Sequence, residues 1–219
     1  MLTGPVDELA DLRDEYRRGR LDEGDVDPDP IVQLRRWLAE AIDARVPEPT
    51  AMVLATVDEV GRPVTRTVLC KGVDERGLTF FTNRDGRKGV HLAARPTCAV
   101  TFLWKELERQ VGLIGTAATL DDDESDAYFA SRPRASRLGA WASPQSQVVE
   151  GGRAELEAAM AEVEVRWPDG VDIPRPPHWG GYLLAVDELE VWQGRPSRLH
   201  DRLRYRRSGT RWRIDRLAP

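Results

Sequence analysis

The chain has 219 residues, enough for one compact domain with a real core or two small ones, and 41% of them are hydrophobic, slightly below the globular average. Lys and Arg number 32 against 37 Asp and Glu, a formal net charge of −5, which argues against nucleic-acid binding despite the arginines crowded between Arg195 and Arg216. No run approaches the roughly 18 apolar residues of a membrane-spanning helix, and Met1-Leu2-Thr3-Gly4-Pro5-Val6-Asp7 lacks the basic start and apolar stretch of a secretory leader, so a cytoplasmic protein is expected.

In chain order, residues 1–20 read as a charged amphipathic helix, with Leu9, Leu12 and Tyr16 at spacings of three and four. Residues 24–30 form an acidic, proline-bearing linker, after which Ile31, Leu34, Leu38 and Ile42 predict a helix running to Val46 and ended by Pro47 and Pro49. The apolar run 52–57, the turn-like Asp58-Glu59-Val60-Gly61-Arg62-Pro63 and the β-branched run 64–69 predict a hairpin. Asp74-Glu75-Arg76-Gly77 turns into a strand at 78–82, a short helix follows at 87–94, and strands are expected at 98–104 and 110–120. Helical insertions at 122–130 and 153–166 precede short strands at 182–186, 189–192, 203–206 and 211–214. Strands with this two-sided burial favour a barrel, which removes exposed sheet edges, so the expected fold class is mainly β with peripheral helices. Cys70 and Cys98 lie in apolar or β-branched stretches and read as buried reduced thiols, while His91, His178 and His200 are too scattered for a zinc site; no metal is predicted.

Four segments can carry chemistry. Arg66-Thr67-Val68-Leu69-Cys70-Lys71 lies on a strand, so Arg66 and Val68 project to one face while Thr67, Leu69 and Lys71 project to the other. A cation held on a core strand is either paired with a protein carboxylate or open to a ligand phosphate. Arg87-Lys88 follows Asn83-Arg84-Asp85-Gly86 at a helix start, either ordinary surface basicity or part of a phosphate cradle. Tyr128, Arg132 and Ser136 are spaced four apart across Pro133, which points to two short helices meeting at a kink, with a loop of small residues and amides expected at 138–146. Arg195-Pro196-Ser197-Arg198-Leu199-His200-Asp201-Arg202 is a cationic cluster in an acidic chain, and reads as a site for a small anion or as a solvated edge strand.

Together these segments resemble the pyridoxamine 5′-phosphate oxidase family over nearly the whole chain. The likeness is carried by Glu48-Pro49-Thr50-Ala51-Met52, by residues 66–71, and by Phe81-Thr82-Asn83, Arg87-Lys88-Gly89 and Glu108-Arg109-Gln110-Val111. It continues through Tyr128-Phe129-Ala130-Ser131-Arg132-Pro133, Gly139-Ala140-Trp141-Ala142-Ser143, Gln145-Ser146, Pro176-Pro177-His178-Trp179-Gly180-Gly181-Tyr182, Trp192-Gln193-Gly194 and Arg198-Leu199-His200-Asp201-Arg202. The resemblance implies an FMN-binding split β-barrel homodimer with FMN at the subunit interface. It further implies oxidation of pyridoxamine or pyridoxine 5′-phosphate to pyridoxal 5′-phosphate, with O2 as acceptor and hydrogen peroxide released. A helical segment over residues 1–25 would close on substrate, and residues 26–219 would form a single barrel domain that includes the C-terminal dimerisation region.

By motif position, Arg66, Lys71, Arg87 and Lys88 are implied to hold FMN mainly through its phosphate, with contacts from Thr67, Val68, Leu69, Cys70, Phe81 and Thr82. Gln110, Gln145, Ser146, Trp192 and Arg202 would complete the flavin site. Lys71, Tyr128, Arg132 and Ser136 match the grip on the substrate phosphate, Arg198 and His200 would sit over the pyridine ring at the reacting face, and Arg13 and Tyr16 match the closing segment. Phe81 stands where the family commonly has Tyr, and Cys70 where an apolar residue is common. The rivals are another flavin or deazaflavin oxidoreductase on the same barrel, or a non-catalytic carrier of FMN or pyridoxal phosphate.

Overall fold

The computed structural model describes residues 15–209 and 211–219. The helix expected at 1–20 therefore lies mostly outside the described residues, as does Arg13; residues 15–20 are not helical. The first described helix, α1 (Pro30–Asp43), starts where Asp29 accepts the Ile31 N–H and Pro30 occupies a first-turn position that needs no donor. It buries Ile31, Leu34, Trp37 and Ala41. It ends at Asp43, short of the expected Val46, because Arg45 turns left-handed at φ 55° and Val46, preceding Pro47, is disfavoured in the helical region.

Among the described residues, nine strands and four more helices follow: β1 (Ala51–Val57), β2 (Pro63–Leu69), β3 (Gly72–Asp74), β4 (Gly77–Asn83), α2 (Arg87–Ala94), β5 (Thr97–Trp104), β6 (Arg109–Thr119), α3 (Asp122–Ser131), α4 (Arg134–Ala142), α5 (Gly152–Arg166), β7 (Trp179–Gln193), β8 (Asp201–Ser208) and β9 (Arg211–Arg216). The mainly β class with peripheral helices holds. The β1–β2 hairpin pairs Ala51 with Leu69 through Val57 with Pro63, and its turn is closed by Asp58, whose carboxylate accepts the Val60 and Arg62 N–H groups.

Two expectations are corrected. The strands predicted at 182–186 and 189–192 are one strand, β7, whose buried positions change parity across Asp187-Glu188; the break in alternation reads as a gap in sequence but is a change of buried face. Residues 138–142, expected in a loop, belong to α4, where Leu138 packs into a buried cluster and its apolar anchoring outweighs the small-residue composition.

The chain divides into two compact units. The larger comprises Thr50–Phe102 and Leu113–Glu188, with strand order β2-β1-β5-β6-β7-β4-β3. Its helical side is held by Phe129, Leu138, Trp167, Ile173 and Trp179, with Phe81 and Tyr128 packed against them. The smaller comprises the residues up to Pro49 with Leu103–Gly112 and Leu189–Pro219, and contains the β8–β9 hairpin, registered from Leu203 opposite Arg216 to Ser208 opposite Arg211. The chain passes from one unit to the other after Pro49, within β5, within β6 and within β7. No helix among the described residues is long and apolar enough to cross a membrane.

Candidate functional site

In the larger unit a cleft of about 490 Å³ gathers Arg66, Thr67, Val68, Leu69 and Lys71 from β2 and the residues just after it, Phe81 and Thr82 from β4, Lys88 from α2, Tyr128, Arg132 and Ser136 from the α3–α4 corner, and Gln145. Alternation on β2 leaves Arg66 and Val68 half-buried while Thr67 and Leu69 are exposed, the two-faced arrangement read from the sequence. The kink at Arg132-Pro133 ends α3 and starts α4, so Tyr128, Arg132 and Ser136 reach one cleft from two helices. Arg87 is the first residue of α2, and Lys88 follows it.

The floor is aromatic. Phe81 and Tyr128 stack with centroids 3.9 Å apart, Phe81 lies nearly parallel to Trp179 at 5.5 Å, and the Arg132 guanidinium sits 4.6 Å above the Trp179 ring. Phe81 stacks through its ring, so the hydroxyl of a tyrosine is dispensable for this contact.

The walls are cationic. Lys88 Nζ donates to Thr82 Oγ1 at 2.9 Å and to Gln145 Oε1 at 2.5 Å, and Thr82 donates to the same Gln145 oxygen at 3.1 Å. Burial, then the charge of Arg66, pushes the Lys88 ammonium down to about 8. Burial, then Arg87, lowers Arg66 in the same direction, and burial lowers Arg132, whose Nη1 is enclosed without a hydrogen-bond acceptor among the described residues. No carboxylate pairs with Arg66, Lys71, Lys88 or Arg132 among the described residues, in contrast to Arg175, which is held by Asp122 and Asp126. Clustered, partly desolvated cations without acids are a donor set for phosphate esters. Two glycines let the backbone close around it: a Cβ on Gly86 would meet Gln145 Oε1 at 2.7 Å, and one on Gly89 would meet the Arg84 carbonyl at 2.0 Å.

Cys70 is buried, its thiol donates to the Gly72 carbonyl at 3.3 Å and is pushed up to about 11 by burial, and Cys98 is likewise buried and free. Ser146 is exposed, at φ 71°. His178 bridges to the Ala140 carbonyl at 3.2 Å and is a half-buried loop residue. A second cleft of about 360 Å³ shares Gln145 with the first and is otherwise lined by residues such as Asn83, Trp141 and His178.

The smaller unit holds the remaining predicted residues. Tyr16 meets Trp192 and His200 edge-on, each with centroids 5.6 Å apart, and Trp192 and His200 lie 4.6 Å apart. The Arg195 N–H donates to His200 Nδ1 at 3.1 Å, so a neutral His200 carries its proton on Nε2 and presents a donor there. Burial, then the charge of Arg198, lowers the His200 imidazole below its ordinary value, against the opposing Asp201. Arg198 is exposed at φ 61°, Arg202 is held by both oxygens of Glu190 at 2.7 and 3.1 Å, and Gln110 is half-buried on β6. Three acids to which the sequence reading gave no role organise this unit. Glu108 accepts the Arg17 and Arg18 N–H groups at 2.8 Å each, Asp201 accepts the Leu21 N–H and pairs with Arg195 and Arg216, and Glu190 holds Arg202. Their signal was weak because each is one acid among many in a chain of alternating charge.

The family model described as pyridoxamine 5′-phosphate oxidase matches residues 38–167, and that described as the pyridoxine 5′-phosphate oxidase C-terminal dimerisation region matches 179–219. Proteins named pyridoxine/pyridoxamine 5′-phosphate oxidase from Burkholderia thailandensis and Paraburkholderia phymatum are each 58% identical, covering 96% of this chain and 99% of their own length. Among solved structures, PhzG from Burkholderia lata in complex with tetrahydrophenazine-1-carboxylic acid is 36% identical with a TM-score of 0.85, over 91% of this chain and 98% of that one. A pyridoxamine 5′-phosphate oxidase-related, FMN-binding protein from Nostoc punctiforme shares the fold at 20% identity and a TM-score of 0.68, over 87% of this chain and 98% of that one. The split β-barrel expected from the sequence therefore holds, and the chain belongs to the pyridoxamine 5′-phosphate oxidase family.

Proposed function

We propose that the protein binds FMN and oxidises pyridoxamine and pyridoxine 5′-phosphates to pyridoxal 5′-phosphate, with O2 reduced to hydrogen peroxide and ammonia released from the amine. The observation that carries this reading is the set of cations Arg66, Lys71, Lys88 and Arg132 opening on one cleft with no acid among the described residues to neutralise them. Two phosphate esters, each of about −1.5 to −2 charge at neutral pH, need such a set.

Arg66, Arg87 and Lys88 would take the cofactor phosphate, with Thr82 and Gln145 orienting the Lys88 ammonium. Bound FMN supplies a two-electron acceptor that O2 can reoxidise. Lys71, Tyr128, Arg132 and Ser136 would take the substrate phosphate, Arg132 being stiffened by its seat on Trp179. Arg198 and His200 would orient the pyridine ring. Because Nδ1 of His200 already accepts the Arg195 N–H, its other nitrogen is a donor, which favours positioning over proton abstraction. Trp192, Arg202 and Gln110 belong to the flavin side of this assignment, and Arg13 and Tyr16 to the segment closing on substrate.

The assembly is proposed as a homodimer with FMN at the interface. The match to a dimerisation region supports it, as do Val53 and Leu69, which the β1–β2 register places on one sheet face and which stand 42% and 39% exposed.

The test is anaerobic mixing of the FMN-loaded protein with each substrate. Bleaching of the flavin band with formation of pyridoxal 5′-phosphate is expected for both. A yellow protein that binds both without bleaching is a carrier, or an oxidoreductase for another substrate.

A further inference from the structure

Arg66 is held from behind by residues that do not line the cleft. Its Nη1 donates to Thr56 Oγ1 at 2.6 Å and to the Leu54 carbonyl at 3.2 Å, and Thr56 Oγ1 lies 2.9 Å from Nδ1 of His91. Arginine only donates, so Thr56 accepts from Arg66, and the same hydroxyl makes the second bond to His91 Nδ1, whose direction follows the imidazole tautomer. Thr56 and His91 are 1% and 2% exposed. The hairpin register explains the first link: Leu54 stands opposite Arg66, and Thr56, two residues on, falls on the same face. His91 supplies the second, since it lies on α2 one turn beyond Arg87 and Lys88. The chain of bonds thus ties the strand cation to the helix that carries the other two.

Such a tie is needed where like charges converge. Arg66 is disfavoured by burial and by Arg87, and Lys88 by burial and by Arg66, with no acid beside them among the described residues. Absent an anion, repulsion drives a long, flexible arginine away from the helix. A fixed acceptor at Nη1 opposes that and leaves Nε and Nη2, which have no protein acceptor among the described residues, to face a ligand.

We propose that Thr56 and His91 are positioning residues for the cofactor phosphate, locking the Arg66 guanidinium with one nitrogen turned into the protein and two directed to a phosphate ester in the cleft. The proposal rests on the assignment of Arg66 to the FMN phosphate, and both residues act through Arg66.

The test is titration of the full-length, deflavinated protein with FMN and, separately, with riboflavin, which lacks the phosphate, followed by flavin fluorescence. Thr56→Val keeps the shape and removes the hydroxyl. It should raise the Kd for FMN about tenfold, the loss of one hydrogen bond to a charged group, and leave that for riboflavin unchanged. Thr56→Ser should restore FMN affinity, and His91→Leu should weaken FMN selectively in the same direction. An unchanged FMN-to-riboflavin ratio in Thr56→Val, whether because neither affinity moves or because both fall together, overturns the proposal. Wild-type protein that shows no preference for FMN over riboflavin overturns instead the assignment of Arg66, and the proposal with it.

Discussion

The guanidinium of Arg132 lies 4.6 Å above the ring of Trp179, and its Nη1 is enclosed without an acceptor among the described residues. A charge in that position is held in place by an aromatic face, on a residue that lines the cleft with no carboxylate beside it among the described residues.

Arg132→Lys keeps the charge but loses both the planar fork and the seat on Trp179. We expect KM for pyridoxine 5′-phosphate to rise on the order of tenfold or more, about the value of one charge-assisted hydrogen bond, with FMN content unchanged. Steady-state kinetics together with the flavin-to-protein absorbance ratio measure both.

Arg66→Ala and Arg198→Ala separate the two halves of the assignment. Arg66→Ala should purify with little flavin, whereas Arg198→Ala should retain FMN and lose substrate affinity and turnover. Equal flavin loss in the two variants would show that the halves are assigned wrongly.

Lys88 gives a pH signature. Its ammonium is lowered to about 8 in the ligand-free fold, so above that pH the site must take up a proton to present a cation to a phosphate dianion. Above about pH 7, where the phosphate is a dianion, FMN affinity should fall as pH rises through 8, and Lys88→Arg should remove that inflection. The linkage to stability has the opposite sense. With its folded value below the ordinary 10.5, this lysine makes the ligand-free protein more stable as pH rises from about 8 towards 10.5, where the unfolded chain binds the extra proton. Equilibrium unfolding of wild type and Lys88→Met across that window would register the difference.

His200 is lowered by burial and by Arg198, so it is neutral at pH 7. With FMN saturating, the loss of turnover tied to His200 should come in acid, below the ordinary histidine value, as the imidazole gains its second proton and adds charge beside Arg198. His200→Asn, which retains a hydrogen-bonding amide, should be slower but without that acid limb. An unchanged acid limb in the variant would assign the titration elsewhere.

Much of the fold was legible because its local signals agree. The apolar 52–57 run and the β-branched 64–69 run flank a polar turn bearing Gly61 and Pro63, and α2 was bounded by a glycine before it and by the strand sequence after it. Where signals conflicted, tertiary context decided. Asp187-Glu188 broke the apolar pattern without breaking β7, and Gly139 and Ala140 looked like loop until Leu138 and Trp141 anchored α4. The residues gathered in the cleft were readable one by one from their motifs. Thr56 and His91 behind them were not, since a threonine in a strand and a histidine on a helix have no distinctive spacing, and only the register and the docking of α2 bring them together.

The smaller unit draws on both ends of the chain, from the residues before Pro49 and from Leu189–Pro219. During synthesis the apolar face of α1, with Leu34 and Trp37, is therefore made before the last strands of its unit, which follow on the order of ten seconds later at ordinary elongation rates. The larger unit is complete in the chain by Glu188. A chain that ended before Leu189 would keep Arg66, Lys71, Lys88 and Arg132 but lack the strands that complete the unit of its first helix, a ready client for chaperones and proteases.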